Sequence, residues 1–115
     1  MNLFDIPAIM EEEELFQALV PDQGILIERI ISVGQFTTRG EWLIQDRDEW
    51  VVLLQGKAQL AFEDGYICSL GPGDWLLIEA GRPHRVEYTS SAPHCIWLAV
   101  HGQILKKGEP TARTP

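Results

Sequence analysis

The stretch GPGDWLLIEAGRPHRV, residues 71–86, decides how this chain folds. Its glycines and prolines break the chain twice, at residues 71–73 and again at residues 81–83. The apolar run Trp75–Ile78 between the two breaks has the length of a buried strand. His84 therefore opens the next strand directly after a tight turn, where a side chain can face the mouth of a barrel. The stretch predicts turn, strand, turn and strand, and it marks His84 as the first place to look for chemistry.

The composition indicates one domain with a substantial core. A chain of 115 residues has the size of a single domain, and its 45% hydrophobic residues include four tryptophans. No segment reaches the roughly 18 consecutive apolar residues of a membrane-spanning helix. The formal net charge of -8 would repel a nucleic-acid backbone and an anionic membrane surface. We expect neither nucleic acid nor membrane among the partners.

Cysteine usage and the N-terminal sequence favour a cytoplasmic protein. The chain has two cysteines, Cys68 and Cys95, which are too few for a disulfide framework and lie in strand-like runs. The N-terminal residues MNLFDIPAIMEEEE contain no basic segment followed by an apolar one, so we expect no export signal in them. We expect both thiols to be buried and free in a reducing compartment.

The pattern divides the chain into an N-terminal segment, a β-domain and a tail, at residues 1–23, 24–101 and 102–115. In the first segment, the acidic run Glu11–Glu14 precedes Leu15 and suits the positive end of a helix dipole, which predicts a short helix. The last stretch, KKGEPTARTP, lacks apolar residues and is expected to be flexible.

From Gly24 onward the pattern is that of β-strands. Lys57–Glu63 alternates apolar with polar residues, and the turn signal Asp64-Gly65 leads into Tyr66–Leu70, which predicts a hairpin. The other strand-like runs are Gly24–Ser32, Glu41–Gln45, Glu49–Gln55, Trp75–Glu79, Arg85–Ser90 and His94–His101. Eight short strands separated by turn residues predict a closed or sandwiched all-β fold.

Two segments together, Asp48–Gly65 and Gly71–Val86, resemble the small single-domain cupins. In the first segment, Glu49 is followed after six intervening residues by Gly56. In the second segment, Gly73 is followed after five intervening residues by Glu79 (usually proline), Ala80 and Gly81. His84 follows Gly81 after two intervening residues, and Tyr88 (usually asparagine) follows His84 after three. The resemblance covers Gly24 to His101. It implies a double-stranded β-helix jelly-roll barrel, often a homodimer, with a ligand site in its wider mouth.

The main departure from the family concerns its metal ligands. Metal-binding cupins carry a His-x-His pair shortly before the glutamate. Depending on the loop length, the corresponding places here hold Trp42 and Ile44, Leu43 and Gln45, or Asp46 and Asp48. Of the four usual ligands only Glu49 and His84 remain. Gln45, Asp46 or Asp48 could complete a shell of oxygen ligands with one imidazole, a set that favours Mn²⁺ or Mg²⁺.

Strand alternation predicts a mainly apolar pocket with a few polar tips. The pocket candidates are Glu49, His84 and Tyr88, together with Trp42 at one of the lost histidine places. Such a composition suits a small, mostly nonpolar ligand held by two or three hydrogen bonds. It also suits a filled core in which Glu49 pairs with an arginine or with His84.

Four further residues receive structural interpretations. His94 and His101 have opposite parity in their strand, so both cannot face the interior, and each is expected at the rim or surface. Trp75 and Trp97 are expected in the core or in a dimer interface, because aromatic rings bury a large area in either setting.

Three functions remain open at this point. The first is a small-molecule-binding cupin with a degenerate metal site. The second is a metal-dependent enzyme of isomerase, lyase or dioxygenase type, with a rearranged divalent metal centre. The third is a metal-free enzyme in which Glu49 and His84 form an acid–base pair. The first is the main prediction.

Overall fold

Short alternating runs separated by glycine-rich turns form eight β-strands in this chain. The computed structural model describes residues 1–7 and 12–105. The strands are β1 (Leu15–Ala18), β2 (Leu26–Ser32), β3 (Asp48–Gln55), β4 (Ala58–Phe62), β5 (Ile67–Leu70), β6 (Trp75–Ile78), β7 (His84–Thr89) and β8 (Cys95–Gly102). The predicted all-β class is confirmed.

The strands form two antiparallel sheets with the core between them. The larger sheet has the order β1-β2-β8-β3-β6 and the smaller sheet the order β5-β4-β7. Val51, Leu53 and Trp97 from the larger sheet join Leu60 and Phe62 from the smaller one in a single buried cluster. Because β3 lies between β8 and β6, it is paired along both edges, and its inward side chains lie within the larger sheet.

The predicted hairpin is present as β4 and β5. Ala61 pairs with Ile67 next to the turn, and the Tyr66 N–H donates to Asp64 Oδ1 at 3.0 Å. The turn needs a glycine at residue 65, where φ is +93°. Sequence signals were sufficient here because the whole unit is local.

A β-bulge in β7 changes which side chains face the core. The register passes from Gln59 opposite Tyr88 to Leu60 opposite Val86, so β7 has one extra residue, Glu87. Val86 remains on the inner face, whereas Tyr88 lies on the outer face and is 52% exposed. The prediction that Tyr88 shares the inner face with His84 is therefore wrong.

Gly56, between β3 and β4, is required by two independent constraints. Its φ is +93°, a conformation that side chains rarely adopt. A Cβ at this position would lie 2.8 Å from Cys95 Sγ and from Ser90 Oγ, and 3.0 Å from Cys95 Cα. The chain can turn tightly against β8 only with glycine here.

The predicted N-terminal helix is wrong, because its apolar part forms β1. Leu15 pairs with Ile31 along the edge of β2, and the strand ends at Ala18. Few residues separate the acidic run from Pro21, too few for a helix that is stable in isolation. Strand pairing instead supplies partners for the edge of β2. Glu11 lies outside the described residues.

Two other segments differ from the predictions. Residues 41–45 do not form a strand; they contribute a single bridge between Leu43 and His84, with backbone N···O distances of 2.7 and 3.0 Å. At the other end, Gly102 still belongs to β8, and the next residues are bound to Asp48 through the backbone of Ile104 and Leu105. Residues 106–115, the rest of the predicted tail, lie outside the described residues.

Two predictions from composition also have structural outcomes. Cys68 and Cys95 are buried and neither forms a disulfide, as predicted. Within residues 1–7 and 12–105 there is no helix with the length and hydrophobicity needed to cross a membrane.

Candidate functional site

A cavity of about 100 Å³ lies between the two sheets, at the end where β3 and β7 begin and β8 ends. Its walls are largely apolar, with five ionisable side chains and one amide. The lining residues are Glu14, Phe16, Glu28, Ile30, Leu43, Gln45, Glu49, Val51, Leu60, Ile78, His84, Val86, Trp97 and His101. The two residues that the sequence analysis favoured most, Glu49 and His84, are both on this wall.

Three polar residues from neighbouring strands form a row across the larger sheet. Glu49 of β3 lies directly opposite His101 of β8, and Glu28 of β2, which is paired with Ala99, approaches His101 diagonally from the other side. The His101 Nε2 is 2.9 Å from Glu28 Oε1. The row is therefore carboxylate, imidazole, carboxylate, and all three side chains line the cavity.

Glu49 is the most unusual member of this row. It is 7% exposed, and within the described part of the chain its carboxyl group makes no hydrogen bond. Burial raises the pKa of Glu49; the positive potential of His101 partly opposes this effect, and the charge of Glu28 adds to it. Glu49 is thus a poorly solvated carboxyl group that is available to a ligand.

His84 presents a neutral imidazole to the cavity. Its Nδ1 is 2.9 Å from the carbonyl oxygen of Arg82, which can only accept, so Nδ1 carries the proton. Burial lowers the pKa of His84, the bond to the carbonyl opposes that effect, and the nearby charge of Arg82 adds to it. The neutral ring keeps an unprotonated Nε2, which is a hydrogen-bond acceptor or metal ligand.

Gln45 adds a second polar group without a partner. Its backbone carbonyl accepts a hydrogen bond from the Gly81 N–H at 2.7 Å, which fixes the segment above the cavity. Its side-chain Oε1 is buried and has no hydrogen-bond partner among the described residues. The side chain of Gln45, which the sequence suggested only as a possible additional metal ligand, lines the cavity.

Asp48 does not serve the site, although it is adjacent to Glu49. Its Oδ1 accepts a hydrogen bond from the Ala80 N–H at 2.8 Å, and its Oδ2 accepts from Ile104 and Leu105 at 3.0 and 2.9 Å. Burial raises the pKa of Asp48, but these three backbone bonds outweigh it and the net pKa is lowered. Asp48 is a structural residue that connects β3 to two distant segments.

The prediction that Asp46 could complete the site is also wrong. Asp46 is exposed and lines an open groove together with Arg47. Gln45 and His101 line both this groove and the cavity. Neither aspartate therefore reaches the interior with Glu49 and His84.

The two aromatic pocket candidates lie elsewhere. Trp42 is 36% exposed and its ring contacts Arg85, whose guanidinium carbon is 5.6 Å from the ring centroid. Its neighbour Leu43 lines the cavity instead, because its bridge to His84 directs it there. Tyr88 is placed outside by the bulge described above.

The residues present do not fit the divalent metal centre that the resemblance implied. Glu49 and His84 share the cavity, but Asp48 is committed to backbone N–H groups and Asp46 lies outside. No three histidine, cysteine, aspartate or glutamate side chains within residues 1–7 and 12–105 are grouped so that they could hold an ion. A catalytic zinc or iron normally needs about three protein ligands.

The structure also revises the acid–base pair. In the described ranges Glu49 and His84 form no ion pair with each other, and the electrostatic neighbours of Glu49 are His101 and Glu28. His101 was expected at the rim; it is 7% exposed and lines the cavity, so that prediction is wrong. His94 is half-buried and bonds to the Ser91 carbonyl, consistent with a rim position.

Sequence reasoning missed Glu28 and His101, and only a weak signal was available. Glu28 is a charged residue inside the apolar strand GILIERIIS, and His101 ends the last strand. Their approach depends on the register in which Glu28 lies opposite Ala99 and His101 opposite Glu49. Trp97, in contrast, is in the core as expected, and its Nε1–H donates to Ser32 Oγ at 3.1 Å.

The chain belongs to the cupin family, whose domain model, described as a cupin domain, matches residues 33–101. Its fold is the double-stranded β-helix jelly-roll barrel. No curated protein matches the chain.

Solved structures support this assignment at two levels of similarity. A protein from Ralstonia eutropha JMP134, named as a "putative mannose-6-phosphate isomerase", is 38% identical, with a TM-score of 0.84, over 90% of this chain and 96% of its own. A cupin superfamily protein from Desulfitobacterium hafniense DCB-2 is 19% identical, with a TM-score of 0.70, over 84% of each chain. The polyketide cyclase RemF from Streptomyces resistomycificus is 18% identical, with a TM-score of 0.65, over 86% of this chain and 76% of its own. The last two show the fold alone.

Proposed function

We propose that this chain is a small-molecule-binding cupin whose ligand occupies the cavity between the sheets and contacts Glu49, Gln45 and His84. The observation that carries the proposal is Glu49, a buried carboxyl group that lines a cavity and makes no hydrogen bond to the described residues. Buried polar groups in proteins almost always have a partner, so one without a partner needs a reason. A bound ligand supplies that partner.

The walls of the cavity support a small ligand with an apolar body. Leu43, Ile78, Val86 and Trp97 surround the polar groups. The volume of about 100 Å³ is well below the roughly 300–1,000 Å³ of drug-sized sites. A molecule of few heavy atoms, oriented by two or three hydrogen bonds, suits these dimensions.

The name of the Ralstonia eutropha relative suggests a sugar phosphate, but the lining of this cavity does not favour one. Phosphate groups are usually bound by arginine, lysine or backbone N–H groups. Among the described residues that line the cavity there is no lysine or arginine, whereas three are glutamates. The negative charge would repel a phosphorylated ligand.

The proposal includes a degenerate metal site. Two protein ligands, Glu49 and His84, are too few to retain a divalent ion at ordinary concentrations. Elemental analysis of protein purified without chelators is expected to give substoichiometric metal. A tightly held ion at one equivalent per chain, lost in Glu49→Ala and in His84→Ala, would contradict this proposal and support the metal-dependent enzyme.

Binding in the cavity can be tested before the natural ligand is known. Isotope-labelled protein is titrated with a fragment library of neutral, cationic and anionic molecules while backbone amide resonances are followed. We expect at least one fragment to shift resonances of cavity residues. Val86→Phe, which fills the cavity, should abolish these shifts, whereas Tyr88→Phe on the outer face of the same strand should preserve them. Shifts that are absent, or unchanged in Val86→Phe, would contradict the proposal.

We further infer that the protein acts as a cytoplasmic homodimer. The outer face of the larger sheet supports this inference, since Trp50 and Trp75 lie there with ring centroids 6.0 Å apart and Trp75 is 41% exposed. The two free thiols suit a reducing compartment. Light scattering is expected to give twice the chain mass, and Trp75→Glu should give the monomer. A monomeric wild-type protein would contradict the dimer.

A further inference from the structure

The polar groups of the cavity have one property in common: they accept hydrogen bonds. Gln45 Oε1 is buried without a donor, and the carboxyl group of Glu49 has no hydrogen bond in the described ranges. His84 uses its only N–H on the Arg82 carbonyl, which leaves Nε2 as an acceptor. A ligand that satisfies these groups must bring the donors itself.

The charge of the lining side chains further restricts which hydrogen-bond donors a ligand can bring. Three glutamates line the cavity together with His101, which is paired with Glu28, and no lysine or arginine in the part of the chain that the structure describes lines it. Glu28 is bonded to His101, and Glu14 accepts from Ser32 Oγ at 2.5 Å. Glu49 has no such bond within residues 1–7 and 12–105, and the apolar walls around it concentrate its field.

The walls suit the body of an organic cation. Ile78 and Val86 offer apolar contacts, and Trp97 and Phe16 place aromatic rings on the same wall. Aromatic rings attract cations through their negative faces, and this attraction is strongest where water is excluded.

From this placement, and on the basis of the proposed function above, we propose that the ligand is a small organic cation. The protonated nitrogen of an amine or amidine would donate to Glu49 and Gln45, while its hydrocarbon part would lie among the apolar side chains. Neutral molecules of the same shape would lose the charge interaction, and anions would be repelled. This ligand class differs from sugar phosphates in charge and in hydrogen-bonding direction.

Four probes of similar or smaller size test the proposal: butylammonium, butan-1-ol, butyrate and inorganic phosphate. Each is titrated at constant ionic strength and pH 7.5, with cavity amide resonances as the readout. We expect butylammonium to bind at least about tenfold more tightly than butan-1-ol, which corresponds to about 1.4 kcal/mol. Butyrate and phosphate should not shift the cavity resonances.

Two variants test whether the preference for butylammonium over butan-1-ol depends on the charge of Glu49. Glu49→Gln keeps the shape and removes the charge, so it should lower the affinity for butylammonium about tenfold and leave that for butan-1-ol unchanged. Glu63→Gln, which removes an exposed carboxylate away from the cavity lining, should have no effect. An unchanged preference in Glu49→Gln would contradict the proposal.

The outcomes separate this inference from the proposed function. If butan-1-ol, butyrate or phosphate binds in the cavity at least as tightly as butylammonium, the cation inference is overturned and the binding function stands. If no probe and no library fragment reaches the cavity, both are overturned.

Discussion

Replacing Glu49 with methionine should make this protein more stable. The carboxyl group is 7% exposed and has no hydrogen bond to the described residues, so folding removes it from most of its bulk water without supplying a protein donor. Leaving a buried polar group unsatisfied costs about 1–3 kcal/mol, and methionine has a similar length without that cost. The attraction between Glu49 and His101 is lost, but His101 retains its bond to Glu28 at 2.9 Å. The expected gain is about 1–3 kcal/mol in the free energy of unfolding.

The gain should also depend on pH in a defined direction. Because the folded state raises the pKa of Glu49 above its ordinary value of 4.5, the wild type loses stability as pH rises through the window between these two values. The advantage of Glu49→Met is therefore smallest below pH 4.5, grows above it, and levels off once the folded carboxyl group is ionised. Urea denaturation followed by circular dichroism between pH 4 and pH 8 measures this difference.

The adjacent residue provides a matched control of opposite sign. Asp48 is 8% exposed, but three backbone N–H groups bond to it. Asp48→Asn should lower the free energy of unfolding by about 1.5–3 kcal/mol. Its pKa is lowered from 3.8, so this loss should shrink as pH falls below that value. If Glu49→Met is as destabilising as Asp48→Asn, the carboxyl group of Glu49 is stabilised by partners in the folded protein, which contradicts this prediction.

Three further predictions concern the frame and the site. Gly56→Ala should lower the free energy of unfolding, measured by urea denaturation, by about 2–4 kcal/mol. A residue with a side chain costs about 1–2 kcal/mol in the left-handed backbone conformation, and its Cβ would also lie 2.8 Å from Cys95 Sγ. An unchanged free energy of unfolding would contradict this prediction. Ser32→Ala should cost about 1–3 kcal/mol by removing the acceptor of the Trp97 Nε1–H, and thermal melting as stable as the wild type would argue against that bond. Butylammonium should bind more tightly at pH 8 than at pH 5, because its nitrogen prefers the ionised carboxylate of Glu49, and a flat profile in titration calorimetry would oppose this assignment. The other charged or titratable groups that face the site, or lie beside His84 at its edge, are Glu14, Glu28, His84, His101 and Arg82.

The sequence predicted those features that depend on neighbouring residues. The alternation in Lys57–Glu63 and the turn Asp64-Gly65 predicted the hairpin correctly, because both strands and the turn lie within one short segment. Glu49 and His84 were placed in one cavity by resemblance to a family whose motifs encode that approach. Local pattern and motif spacing were enough for the barrel and for these two residues.

The errors share a physical cause, because each depends on contacts between distant segments. The bulge at Glu87 moves Tyr88 to the outer face, and it is defined only by pairing with β4. His101 reaches the cavity because its strand runs beside both β2 and β3. The residues after Glu11–Glu14 have a helical pattern, but they form a strand that pairs with the open edge of β2. Tertiary contacts there override the weak helical preference of a short segment.

Asp46 and Asp48 illustrate a second limit. Both lie within three residues of Glu49 and carry the same chemical group, so composition and spacing could not separate them. The backbone N–H groups of Ala80, Ile104 and Leu105 donate hydrogen bonds to the Asp48 carboxylate. These bonds form only when three segments that are distant in sequence meet in the fold, so the sequence did not indicate them.

The most direct test of cation binding is a crystal structure of the chain grown with butylammonium chloride. We predict electron density for the cation between the sheets, with its nitrogen within hydrogen-bonding distance of the Glu49 carboxylate and Gln45 Oε1. A divalent ion bound to Glu49 and His84, or a cavity closed by rearranged side chains with the cation elsewhere, would contradict this prediction.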